Sequence, residues 1–135
     1  MALTEQRLRT RPATAELKDE RLSRRASVSL MVAWAVLLPL ALVLEPAPAE
    51  VTYPWWAFVV SNALLAAIAA TFVGLVRRRP WAPTASFVAS SIFVTGVFAC
   101  PASGHHAFGL WWFGEFAAAL TLVGLSAGAY LKARR

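Results

Sequence analysis

Charge is scarce in this chain. Only 15% of its 135 residues are charged, where a soluble globular domain carries roughly 25%. No basic residue lies between Arg25 and Arg77, and none between Arg79 and Lys132. Hydrophobic residues make up 59% of the chain. Such a composition cannot present a water-facing surface, so lipid is the expected solvent. Cysteine is almost absent: Cys100 is the single one, which rules out an internal disulfide and a paired-thiol relay. The sequence also lacks a nucleophile-and-base pair, a Gly-rich phosphate loop and an HExxH motif, so it reads as non-enzymatic. No internal repeat is visible. The polar start and the long run that follows it do not fit a cleavable secretory signal.

What is there is four long apolar runs. A membrane-spanning helix needs about 20 mostly apolar residues. The expected spans cover residues 26–44, 55–76, 81–100 and 108–131. Pro39 should kink the first, Pro83 suits the first turn of the third, and Pro101 should end it. Residues 1–25 form a basic tail, within which "TAELKDERLSRR" suits a short helix with Thr14 as N-cap. Residues 132–135 form a second basic tail. The connections between spans are short, so consecutive helices should run antiparallel, in an up-down bundle.

The charges sort by side. Basic residues stay on the cytoplasmic face of a membrane. With the N-terminus inside and four spans crossed in alternation, the seven basic residues of the N-terminal tail, Arg77–Arg79 and Lys132, Arg134 and Arg135 all fall inside. Those are all thirteen. The outer side receives Glu45, Glu50, His105 and His106. Both termini are therefore expected in the cytoplasm, and a bacterial inner membrane is the simplest location. The net charge of +6 then serves topology and anionic lipid headgroups rather than nucleic acid. Trp55, Trp56, Trp111 and Trp112 are expected at the outer interface, with Trp81 and Tyr130 at the inner one.

Small residues mark helix seams, because lipid tails give no hydrophobic drive between helices. Ser86 and Ser90 form one small pair. Ala63, Ala67, Ala70 and Gly74 form a stripe on the second span. Gly124 and Gly128 form a GxxxG on the fourth, serving either a seam within the bundle or a homodimer.

Among polar residues, Glu115 stands out. It lies about seven residues into the fourth span, roughly 10 Å below its outer end. An acid at that depth costs at least about 2.5 kcal/mol and is a functional candidate by default. Asn62 lies at a similar depth in the second span and is its expected partner, with Ser61 and Thr95 nearby. Glu115 then either locks two helices together or serves a transport or cation site. The outer loop supplies Cys100, His105 and His106, ligand types that suit zinc or copper. Their spacing matches no recognised metal signature, and Glu45 or Glu50 would more easily supply a further ligand than Glu115. The histidines alternatively bond to the first outer loop or cap the fourth helix.

Two functions follow. One is a non-enzymatic accessory or scaffold subunit that meets a larger membrane partner. The other is a small transporter, or a ligand- or metal-binding membrane protein, that uses Glu115, Asn62 and the Cys100–His105–His106 loop.

Overall fold

The computed structural model describes residues 21–47, 54–104, 106 and 108–134. Of the short helix proposed over "TAELKDERLSRR" only residues 21–25 are described: Arg21, Leu22 and Ser23 are not helical, and Arg24 and Arg25 begin the first span; its start, Glu50 and His105 lie outside the described residues. The described chain is all-helical. Helix α1 spans Arg24–Leu44, α2 Trp55–Val76, α3 Ala82–Ala102 and α4 Leu110–Ala133. At 1.5 Å per residue the shortest is about 31 Å long, enough to cross a hydrocarbon core of about 30 Å. All four are long and apolar enough to span a membrane. Outward-facing Val36, Val43, Phe58, Leu65, Leu110 and Phe113 give the exterior the apolar surface that lipid requires.

Helix α3 packs along both α2 and α4, and α4 also packs along α1. Contact between α1 and α2 is slight by comparison. The ring of helices is thus closed on three sides. The seam of α3 with α4 carries small residues, as lipid-embedded packing demands: Ser86, Ala89 and Ser90 on one helix, Ala118, Ala119 and Ser126 on the other, all buried. Gly124 lies on the exposed side of α4. A Cβ added at Gly124 or Gly128 would meet nothing within 4 Å, so neither glycine serves this seam. On α2, Ala63 and Ala70 likewise face outward, and only Gly74 of that stripe is buried.

A hydrogen-bonded chain ties three helices together in the core. Trp34 Nε1 donates to Ser86 Oγ at 2.8 Å. Ser126 Oγ donates to the Leu122 carbonyl at 2.6 Å, so the Ser86 hydroxyl proton points to Ser126 Oγ, 2.7 Å away. Each buried donor is satisfied in one direction, from α1 through α3 to α4. In hydrocarbon no water would otherwise satisfy these groups.

Pro101 does not end α3, which continues to Ala102. Proline has no N–H, so the Val97 carbonyl four residues earlier loses its helical donor. Trp112 replaces it: its Nε1 donates to the Val97 oxygen at 2.9 Å. Trp112 is accordingly buried in the core rather than placed among the exposed interfacial aromatics, and its ring stacks on Phe116. The helix ends at Ala102 with Ser103 as its cap, and Gly104 follows in the left-handed conformation, φ 73°, that glycine adopts readily.

The turn from α2 to α3 is tight. Arg79 N bonds to the Gly74 carbonyl and Arg78 N to that of Leu75, the paired pattern of a Schellman ending. Its left-handed position is held by Arg78, with φ 52°. Arg78 also grips the residues before α1: Leu22 N donates to its carbonyl, and its Nε donates to the Leu22 carbonyl at 2.9 Å. Leu22 is thereby buried with Leu30, Leu75 and Ala82. Beside it, Ser27 Oγ donates to the Leu75 carbonyl at 2.6 Å. This end of the bundle is clasped.

Candidate functional site

The opposite end is open. Between the last turn of α1 and the first turns of α2 lies a partly open cavity of about 510 Å³. That falls within the roughly 300–1,000 Å³ usual for small-molecule sites. Every helix contributes to its wall. Leu42 and Glu45 come from the end of α1, Trp56, Val60 and Ser61 from α2, and Phe93, Gly96 and Cys100 from α3. His106 comes from the α3–α4 connection and Glu115 from α4.

Local structure explains how these side chains meet. Leu44 sits against Gly114, where an added Cβ would lie 2.6 Å from Leu44 Cδ1. The missing side chain lets the end of α1 come close to the first turns of α4, next to Glu115. Glu45 follows as the C-cap of α1. There it receives His106, whose Nε2 lies 3.0 Å from Glu45 Oε1. The imidazole is buried and meets Trp111 edge-on. The α3–α4 connection is therefore tied to the end of α1, and this pair forms the rim of the cavity.

Glu115 is 5% exposed and faces the cavity. Because α4 begins at Leu110, it lies about 8 Å along the helix from its start. It makes no hydrogen bond or ion pair with any described residue. The expected bond to Asn62 is not formed. The Asn62 amide points outward and donates to the Phe58 carbonyl of its own helix at 2.7 Å. Thr95 is also exposed and bonds to the Ser91 carbonyl at 3.0 Å. Ser61 and Cys100 do reach the cavity, and the Cys100 thiol is free and half-buried. The structure thus brings together Glu115, Ser61, Cys100 and His106, and leaves Asn62 and Thr95 outside.

Sequence reasoning named Glu45 as a source of a metal ligand and, separately, the loop it opens as a bonding partner for the histidines; His106 makes that bond. Here Glu45 is the anchor of the rim. Among the described residues no three His, Cys, Asp or Glu side chains gather closely enough to hold a metal ion. The arrangement suits a different chemistry. A buried carboxylate without a hydrogen-bond partner, facing a cavity with mostly apolar walls, is an acceptor for a ligand that brings its own donor or positive charge. Comparison with known proteins gives no match to any family, to any curated protein or to any solved structure.

Proposed function

We propose that this chain is a small ligand-binding membrane protein, with its site in the cavity between α1 and α2. One observation carries the reading: Glu115 is almost fully buried, faces the cavity and has no hydrogen-bond partner among the described residues. A carboxylate that merely locked helices together would be bonded across a seam, as Ser86 and Ser126 are. An acid held at this depth without such a bond is costly unless something else uses it.

The reading includes a topology. The four helices form an up-down antiparallel bundle with both termini in the cytoplasm and the cavity at the outer face, in a bacterial inner membrane. The distribution of all thirteen basic residues supports it, and so do the bonds of Leu22 and Ser27 to the Arg78 and Leu75 end of α2.

Cys100 tests cavity and topology together, because it is the only cysteine and lines the cavity. In right-side-out vesicles a small, membrane-impermeant methanethiosulfonate should label it, and in inverted vesicles it should not. Filling the cavity by Ser61→Trp should block labelling. A second reporter, Ser61→Cys in a Cys100→Ala background, guards against an unreactive thiol. If neither position reacts from the outer side, the site reading is wrong.

A second reading has its own support. Gly124 and Gly128, with open space where a Cβ would be, leave part of α4 free for close helix packing. That suits an accessory or scaffold subunit meeting a membrane partner, or a homodimer through the same glycines.

A further inference from the structure

We infer that the occupant of the cavity is an organic cation: an ammonium-type head on an apolar body, entering sideways from the bilayer between α1 and α2. This rests on the reading of the cavity as a ligand site and adds the chemistry of the ligand and its route.

Charge gives the first argument. Among the described residues the carboxyl groups at the cavity are Glu45 and Glu115, beside the Cys100 thiol, and the base is His106, already joined to Glu45. No Lys or Arg lies anywhere between residues 26 and 76 or between 80 and 131. Those stretches include every lining residue. An anionic ligand would find two carboxylates and no fixed positive charge. A cation finds Glu115 without a competing partner, in surroundings where charge is weakly screened.

The walls give the second. Leu42, Val60, Leu64, Phe93 and Val97 line the same cavity as Glu115 with hydrocarbon. A bare metal ion needs several oxygen, nitrogen or sulfur ligands, and no cluster of three such side chains occurs among the described residues. A space of about 510 Å³ also far exceeds a single ion. It fits a molecule whose body replaces water along the apolar wall while its head meets Glu115. Trp56 adds an aromatic group to the lining, a surface that attracts ammonium groups.

The packing gives the route. Leu42 and Glu45 line the cavity from α1, and Trp56, Val60 and Ser61 from α2, two helices in only slight contact with each other. Among the described residues the hydrogen bond between α1 and α2 is at the far end, from Ser27 to Leu75. The side between these two helices is therefore the least covered route to the cavity. An amphipathic cation that partitions into the outer leaflet is presented at this height.

The test uses three molecules of one shape and different charge: benzyltrimethylammonium, its neutral carbon analogue neopentylbenzene, and phenylmethanesulfonate. Each is titrated by ligand-observed NMR against the full chain in zwitterionic nanodiscs, with empty nanodiscs as blanks. The cation should bind saturably. Glu115→Gln should weaken it by about tenfold or more, the loss of one charged contact, and Glu115→Asp should retain part of it. Val60→Trp, which fills the cavity and keeps the acid, should abolish binding. The inference is overturned if the neutral or anionic analogue binds better, if Glu115→Gln binds the cation unchanged, or if none of the three binds. The ligand-site reading survives those results when Cys100 or the Ser61→Cys reporter is still labelled from outside, and falls when neither is.

Discussion

Replacing Trp112 by Phe removes one hydrogen-bond donor from a place where nothing else can supply it. The Val97 oxygen has lost its helical partner to Pro101 and is served by the Trp112 indole at 2.9 Å. Val97 is 2% exposed, so water does not reach it. Leaving a buried carbonyl unpaired costs about 1–3 kcal/mol; side-chain hydrogen bonds between membrane helices average about 0.6 kcal/mol and reach about 1.7. We expect the hydrogen-bond part of the loss near 1–1.5 kcal/mol, between those ranges. The smaller ring adds a packing loss, since Trp112 also contacts Phe98, Phe113 and Phe116. Pro101→Ala separates the two contributions. Alanine restores an N–H aimed at Val97 O, so the carbonyl no longer depends on the indole. In reversible unfolding in mixed micelles, Trp112→Phe should cost about 1 kcal/mol less in the Pro101→Ala background than in the native one. The packing loss should be the same in both. A coupling below about 0.3 kcal/mol, the scatter expected of independent sites, would refute the claim that Trp112 serves the carbonyl freed by Pro101.

Three further outcomes are expected. Gly74→Ala should destabilise the fold by about 1–3 kcal/mol, because the new Cβ would lie 2.7 Å from Trp81 and 2.9 Å from Ala82 Cβ; Gly124→Ala should leave the unfolding midpoint unchanged or raised, and cross-linking of Gly124→Leu would show any dimer through that face as a loss. Ser86→Ala strands the Trp34 N–H and should cost about 1–3 kcal/mol in the same micelle titration, and Trp34→Phe added to it should cost less than it does alone. Arg78→Ala should lower thermal stability more than Arg78→Gly, since both lose the Nε bond to Leu22 but only glycine adopts φ near 52° without strain.

The four spans were legible because a run of about 20 apolar residues has few other fates. Their ends were less so. Pro101 reads as a stop, and the donor that lets α3 continue comes from Trp112, on another helix. Depth was also readable, since 1.5 Å per residue placed Glu115 near the start of α4, where it lies. Facing was not. In a water-soluble helix the polar stripe reveals which side turns inward, but in lipid both sides are apolar. Asn62 and Glu115 share a depth, yet Asn62 turns outward to Phe58. Gly124 and Ser126 are two residues apart, and only Ser126 is buried in the seam. What decides facing is a few polar and close contacts, such as Trp34 with Ser86 and Leu44 with Gly114. Trp34 did leave a signal: a tryptophan in mid-span, away from either interface, needs a partner for its N–H.

The two ends of the bundle differ because their connections differ. The α2–α3 turn is so short that Gly74 must accept Trp81 and Ala82 at contact distance, and Arg78 in its left-handed position holds the approach to α1 as well. Three helix ends are thereby fixed together. At the opposite end α1 passes to α2 through residues 45–54, a longer stretch with three prolines, which imposes no such closeness. The end of α1 is drawn instead toward α4 and the loop before it, by Gly114 and by the Glu45–His106 pair. Every contact that pulls α1 toward α4 leaves the α1–α2 side less covered. Glu115, on α4, faces the space so created. The cavity is thus not a packing defect in an otherwise closed bundle. It is the consequence of tying α1 to α2 at one end and to α4 at the other, and the acid sits beside the second tie, next to Gly114.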